Sequence, residues 1–342
     1  MSGITAKEIA AKLNLSPAAV SLALNGKPGV SQSTRDLVLA TATQLGYIRP
    51  EPAPQQHTIC FVRYAGGVVQ VAQHTSFASY VLQGVESRAT QLGYHTQVRY
   101  LNQGDLRQCQ ALGTFQGAAG VILLGTDLTQ NQDEELEALF QALPNTPVVV
   151  VDSSAPAHRT DCVVNDCRGG ARDAAAYLLQ SGHTRLGYIR AKQRIANLDQ
   201  RWLGVQDALG GSAPAVTIDV DISSEGAYED FEAWLDTAPA LPDALFAEND
   251  VLAAAAIRAL NRHGHRIPQD VSVVGFDDIP LCDMLDPPLT TVHCFKEELG
   301  VVAAELLARR ISRHEVPHAM EQVGRLTTTV STRLIRRLSV RA

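Results

Sequence analysis

From residue 58 onward the chain follows one rhythm, and that rhythm limits its fold more than any other feature. Short apolar, mostly β-branched runs alternate with longer helical stretches: ICFV (59–62), GVILL (120–124), VVVV (148–151), LGYI (186–189), VTIDV (216–220), ALFA (244–247) and VSVVGF (271–276). Runs that are apolar on both faces suit strands buried on both sides, as parallel sheets require. The segments between them, such as 77–92 and 171–181, read as the helices that parallel connections need. With 342 residues there is more chain than one hydrophobic core serves, so a doubly wound α/β architecture is expected twice over.

The first fifty residues do not share this rhythm. Thr5-Ala-Lys-Glu8 has the form of a capping box, and Ile9, Ala10 and Leu13 then fall on one helical face. Asn14 suits a left-handed residue closing that helix. Ser16-Pro17 reads as an N-cap with proline at the first helical position, opening a helix from about 17 to 24 that buries Val20 and Leu24. Asn25-Gly26 breaks the chain, Ser31 caps a third helix near 32–45, and Gly46 ends it. Val38, Ala42 and Leu45 give that helix its core face. The few residues between the first two helices make a helix-turn-helix.

Charge separates the same two regions. Residues 1–50 hold Lys7, Lys12, Lys27, Arg35 and Arg49 against Glu8 and Asp36, a net +3. The rest holds 24 cations and 34 anions, a net −10, within an overall −7. A basic head on an acidic body suits a head that approaches a polyanion. The six cysteines (Cys60, Cys109, Cys162, Cys167, Cys282, Cys294) show no C-x-x-C spacing and read as reduced, mostly buried thiols rather than a metal or disulfide framework. No apolar run reaches membrane-spanning length and the first residues lack the apolar core of an export signal, so a cytoplasmic protein without membrane contact is expected.

Four fixed-spacing elements stand in one order: T-x-x-E-I-A (5–10), S-x-x-x-V-S-x-x-L-N-G (16–26), V-S-x-x-T-R (30–35) and L-G-Y-I-x-P (45–50). Together they closely resemble the DNA-binding head of the lactose/galactose repressor (LacI/GalR) family. The resemblance implies that the helix from Pro17 enters the major groove of double-stranded DNA. Thr5, Ser16, Ser21, Asn25, Ser31, Thr34 and Tyr47 would contact the backbone, and Pro17, Ala18 and Leu22 would occupy the base-reading positions. None of those three can form a bidentate hydrogen bond to a base, so readout there would use thymine methyls, shape or neighbouring residues. Family members continue with a short hinge helix that wedges a leucine into the minor groove. Here the stretch is Arg49-Pro-Glu-Pro-Ala-Pro-Gln-Gln-His57, with three prolines in five residues and no leucine, and it reads as an extended linker.

The body resembles the same family through SFASYVLQGVESRATQLGY, TPVVVVDSS, SGHTRLGYI, QRWLGVQDAL, LFAENDVLAAAAIRAL and the tract from 271 to 300. The implied architecture is an all-α helix-turn-helix head (1–48), a linker (49–57) and a periplasmic-binding-protein-like sensor (58–342) of two doubly wound lobes joined by three crossovers. The N-lobe would hold about 58–159 and 290–322, the C-lobe about 160–289 and 323–342. Ligands of open α/β sheets sit beyond the carboxyl ends of strands, where Asp152, Asn249, Asp250 and Asp277 follow apolar runs. By family position Arg201 and Asp250 resemble a hydroxyl-binding pair, with Asp152 and Asp277 near them and Phe77 at a position that is often aromatic. A second such position falls on Ile222. Arg63, Tyr64 and Arg190 are placed near the cleft mouth as solvated groups. Carboxylate and guanidinium together suit vicinal hydroxyls, so the effector implied is small and polar, a sugar or sugar derivative.

The expected function is a regulator, a repressor, that binds a pseudo-palindromic operator as a homodimer and is modulated by that effector. No cofactor or metal is implied. G-x-S-x-G and G-x-x-x-x-G-K-[ST] are absent, and GKPG (26–29) lies between helices rather than after a strand, so an enzyme is not expected. The rival reading, a transport-type binding protein of the same sensor fold, would not need the head.

Overall fold

The computed structural model describes residues 6–24, 29–45, 58–65, 75–102, 105, 115, 117–128, 133–143, 146–154, 159–237, 240–314 and 324–341. Two compact units divide the chain, residues 1–56 and 57–342.

The first unit contains α1 (Ala6–Leu13), α2 (Pro17–Leu24) and α3 (Gln32–Gln44). Asn14 takes a positive φ of 51° and the Leu15 N–H donates to the Ala10 carbonyl at 3.0 Å, closing α1. Ile9, Ala10, Val20, Ala23, Val38 and Ala42 form one small buried core, with Leu13, Leu24 and Leu45 packed at its edge.

The second unit holds β1 (Thr58–Ala65), α4 (Thr75–Gln91), β2 (His95–Asn102), β3 (Ala118–Leu124), α5 (Asp133–Ala142), β4 (Val148–Val151) and β5 (Asp161–Asn165). It continues with α6 (Cys167–Gln180), β6 (Leu186–Ala191), α7 (Ala196–Ala208), β7 (Val216–Val220), α8 (Ser224–Asp236), β8 (Ala244–Ala247), α9 (Asp250–Arg262) and β9 (Ser272–Val274). The last elements are α10 (Leu281–Met284), β10 (Thr291–Cys294), α11 (Lys296–His314), β11 (Thr327–Val330) and β12 (Thr332–Ile335).

Six strands pair in the order β11-β5-β4-β3-β1-β2, four in the order β7-β6-β8-β9, and every pair in these two sheets is parallel. β10 and β12 form a separate antiparallel ladder, and β10 also bridges the end of the smaller sheet through Val274–Thr290 and Asp277–His293. The chain therefore passes between the two sheets at three places: after β5, after β10 and after β11. The expected lobe bounds shift as a result. Residues 161–165 and 327–330 belong to the six-stranded sheet, not to the C-lobe. These strands are short, β11 is half exposed, and only their pairing with β4 and with each other assigns them.

Close helix packing fixes the N-lobe. A Cβ on Gly84 of α4 would meet the Glu297 carbonyl of α11, and one on Gly300 would meet the Val81 carbonyl, so these two helices touch backbone to backbone. Deeper in, Arg310 of α11 donates through Nε and Nη2 to the two oxygens of Asp161 at 2.6 Å each, with both residues buried. Asp161 also accepts from the Leu326 N–H at 2.9 Å. That pair fastens α11 to β5 and to the start of β11.

Candidate functional site

In the head, the capping residues behave as their side-chain chemistry requires. Ser16 Oγ accepts from the Ala19 N–H at 3.1 Å, and Ser31 Oγ accepts from the Thr34 N–H at 3.2 Å while sharing hydrogen bonds with the Ser33 and Thr34 hydroxyls. Neither α2 nor α3 carries an acid in its first turn, so no carboxylate opposes the positive end of either helix dipole. α2 buries Val20 and Ala23 and leaves Pro17 and Ser21 exposed, with Leu22 half-buried against Gly29. Leu22 is thus neither a core leucine nor a free one. Ala18 lies on the same helix. Thr5, Asn25, Tyr47 and the proline-rich stretch 49–57 lie outside the described residues.

The cleft of the second unit is built at strand ends. Phe77 of α4, Thr126 after β3, Asp152 after β4, Ile195, Asn197, Leu198 and Arg201 around α7, Ile222 after β7, Asn249 after β8 and Asp277 after β9 line a cavity of about 20 Å³. That is room for water, so admitting a sugar requires the walls to move apart.

Asp277 is the hub. Its φ is 106°, a conformation that side chains other than glycine seldom adopt, and its Oδ1 accepts from Arg201 Nη2 at 2.8 Å. Arg201 is buried, also donates to the Glu248 carbonyl, and lies 3.9 Å above the Phe276 ring. Asp152, with a φ of 65°, accepts from Thr126 Oγ1 at 2.7 Å and from Asn165 Nδ2 at 3.2 Å, and its backbone carbonyl accepts from Asn197 Nδ2 at 3.0 Å. Burial pushes the Asp152 carboxyl up to about 6, against the pull of the Thr126 hydrogen bond and the Arg201 charge. Asn249 spends its Oδ1 capping α9 at the Leu252 N–H, 2.9 Å away.

Asp250, expected beside Arg201 as a partner for effector hydroxyls, does not line the cavity, and Arg201 pairs with Asp277. Asp250 instead accepts from Thr291 Oγ1 and, at 3.0 Å, from the Ile279 N–H, so it ties α9 to β10 and to the loop after Asp278. Burial, reinforced by Asp277, raises its carboxyl to about 7. The cleft-mouth expectations change too: Tyr64 is buried, and Arg190 forms a two-point pair with Asp219. Sequence reasoning missed Thr126, Asn165 and Asn197; the signal for Thr126 was its place just beyond the GVILL run.

Asp278 turns the other way. With φ 52° it accepts from Arg337 Nη2 at 2.8 Å and pairs with His293 Nδ1 at 2.7 Å, and a cavity of about 560 Å³ opens on that side. Lys296, the first residue of α11, donates to the carbonyls of Asp277, Asp278 and Cys294. Two consecutive left-handed aspartates thus face two different cavities where the chain passes between sheets. The buried thiols Cys60, Cys162, Cys167, Cys282 and Cys294 are all unbonded to one another. Among the described residues no helix is long and apolar enough to cross a membrane.

Comparison with known proteins gives this geometry its context. Residues 5–50 match the family described as "Bacterial regulatory proteins, lacI family", and residues 175–340 match a "Periplasmic binding protein-like domain". The HTH-type transcriptional repressor PurR of Vibrio cholerae is 30% identical over 91% of this chain and 92% of its own. The HTH-type transcriptional regulator MalR of Streptomyces coelicolor is 32% identical over 91% of each. Among solved structures, a transcriptional regulator CelR–cellobiose complex superposes with a TM-score of 0.70 at 27% identity, covering 98% of this chain and 99% of its own. Identity at this level along nearly the whole of both chains, with the head matched separately from the sensor, leaves one conclusion: the chain belongs to the lacI family of bacterial transcription regulators.

Proposed function

We propose that the protein is a homodimeric repressor that binds a pseudo-palindromic operator in double-stranded DNA, and that a small polar effector in the Arg201–Asp277 cleft sets its operator affinity. The observation that carries this reading is the coexistence of two features in one lacI-family chain. A helix presents Pro17 and Ser21 outward beside unopposed helix N-termini, and a polar cleft lies at the carboxyl ends of parallel strands. Several of the similar proteins carry the word repressor in their names, and one related regulator is solved with cellobiose.

In this reading α2 lies in the major groove. Pro17, Ala18 and Leu22 meet base edges, and Thr5, Ser16, Ser21, Asn25, Ser31, Thr34 and Tyr47 hold the backbone with the N–H groups at the helix starts. One three-helix head makes few phosphate contacts, so specific binding uses two heads on a palindrome. Phe77, Asp152, Arg201, Asn249 and Asp277 contact the effector, and Asp250 positions the strands behind them. Effector binding redistributes the lobes between open and closed arrangements. A differential affinity of about 1–3 kcal/mol then changes operator occupancy roughly five- to 150-fold. The protein acts in the cytoplasm, beside its operator, and is assigned no reaction.

The test is an electrophoretic shift assay of the full chain with DNA from around its own gene, titrated with sugars, sugar derivatives and nucleosides. Retardation that one compound strengthens or relieves is expected. DNA binding that no compound alters overturns the coupling, and a chain that retards no fragment overturns the repressor reading.

A further inference from the structure

The charges lining the cleft do not balance, and the imbalance bears on the effector. Two carboxylates, Asp152 and Asp277, face the cavity, and Arg201 is the one cation among its described lining residues. Arg201 is already committed: Nη2 to Asp277 and Nη1 to the Glu248 carbonyl. Cations just beyond the cavity are committed as well. Arg190 is held by Asp219, Lys192 by Asp230, Arg194 by Asp199 and Glu248, and Lys296 by three backbone carbonyls.

Thr126 spends its hydroxyl proton on the Asp152 carboxylate and Asn197 one amide N–H on the Asp152 carbonyl, while Asn249, its Oδ1 spent on the Leu252 N–H, has only amide N–H groups left to offer. The charged acceptors that face an incoming molecule are the oxygens of Asp152, each already accepting one hydrogen bond, and the second oxygen of Asp277. Ile195, Leu198, Ile222 and Phe77 supply the apolar remainder, so water is displaced when the cavity fills.

A carboxylate left uncompensated in a dry site costs free energy, a second anion adds repulsion, and a positive donor relieves both. We propose that the effector is a compact hydroxylated molecule bearing an amine, whose ammonium group pairs with Asp152 while its hydroxyls meet Asp277 and Asn249, and that phosphorylated and carboxylated sugars are excluded. This rests on the reading that the cleft is the effector site.

The experiment is isothermal titration of the full-length protein at pH 7.5 with three matched sets: glucose, glucosamine and glucose 6-phosphate; galactose, galactosamine and galactose 6-phosphate; mannose, mannosamine and mannose 6-phosphate. In at least one set the amine is expected to bind tighter than its neutral parent by about tenfold or more, with no binding of the phosphate. Asp152→Asn keeps the side-chain size and an acceptor for Thr126, and is expected to weaken the amine far more than its neutral parent, so that most of the preference is lost. Unfolding of the unliganded variant checks that it is folded. A neutral or phosphorylated member binding best, or an amine preference that survives Asp152→Asn, overturns this proposal and leaves the effector-cleft reading standing. If none of the nine binds a protein that still retards its operator, this proposal falls, and the effector-cleft reading is decided separately by the shift-assay titration.

Discussion

Arg201 Nη2 lies 2.8 Å from Asp277 Oδ1 inside the lobe interior, with the two side chains only 6% and 16% exposed. Removing one member of such a pair leaves the other charge uncompensated. Arg201→Met is therefore expected to cost about 3–5 kcal/mol in urea unfolding, and adding Asp277→Asn to recover much of it. Modest stability in the double variant leaves room to measure function. Operator retardation should persist while the response to effector disappears. Loss of DNA binding in the folded double variant would make the pair structural only.

Asp152 gives a pH signature. A carboxyl raised to about 6 in the folded protein, against an unfolded value near 3.8, holds its proton more tightly when folded. Its contribution to stability is complete below the unfolded value and is lost as pH rises through the folded one. Between pH 5 and 8 the wild type should lose on the order of 1 kcal/mol relative to Asp152→Asn, so the variant gains in relative stability as pH rises. Asp250, raised to about 7, adds a loss of the same sign that both proteins share. Urea unfolding of both proteins at the two pH values checks this, and a difference independent of pH would refute the burial of Asp152.

Much of this was readable from residue order alone, and the limits are physical. β3, β4 and β8 are buried on both faces along nearly their whole length, so their apolar runs announce them. β2 is exposed along most of its length and β11 is half exposed, and neither leaves an apolar run to find. In the head, punctuation by Asn14, Ser16 and Ser31 is local chemistry, and the caps form where those residues stand. The cleft was half legible. Strand ends locate Asp152, Asn249 and Asp277, because polar residues after buried runs have few other places to go. Which acid holds Arg201 is a different matter. It depends on Asp250 being turned toward Thr291 and Ile279, 41 and 29 residues along the chain, and on the left-handed backbone at Asp277. No spacing rule encodes either.

The buried pair of Arg310 and Asp161 tests how the N-lobe is held. Arg310→Ala should destabilise by about 3–5 kcal/mol, since it strands the Asp161 carboxylate in a dry site. Arg310→Met with Asp161→Leu should restore most of that, less about 1–3 kcal/mol for the Leu326 N–H, which loses its acceptor. Unfolding of Arg310→Met, Asp161→Leu and their double variant in urea separates the two contributions. Additive losses in the double variant would mean the pair contributes no coupling.

Ser31 allows helix capping to be separated from phosphate contact. Its Oγ accepts from the Thr34 N–H, so Ser31→Ala should cost the head about 1 kcal/mol, read as faster amide exchange in α3, and should weaken DNA binding for two mixed reasons. Ser31→Asp distinguishes them. Aspartate caps as well as serine and adds favourable charge at a helix N-terminus, so α3 should exchange no faster than in the wild type. The same carboxylate would face a phosphate if Ser31 lies against the backbone of bound DNA, and operator affinity should then fall by about tenfold or more while the effector still binds. A full-strength operator complex with Ser31→Asp would move this serine off the DNA and leave it as a cap alone.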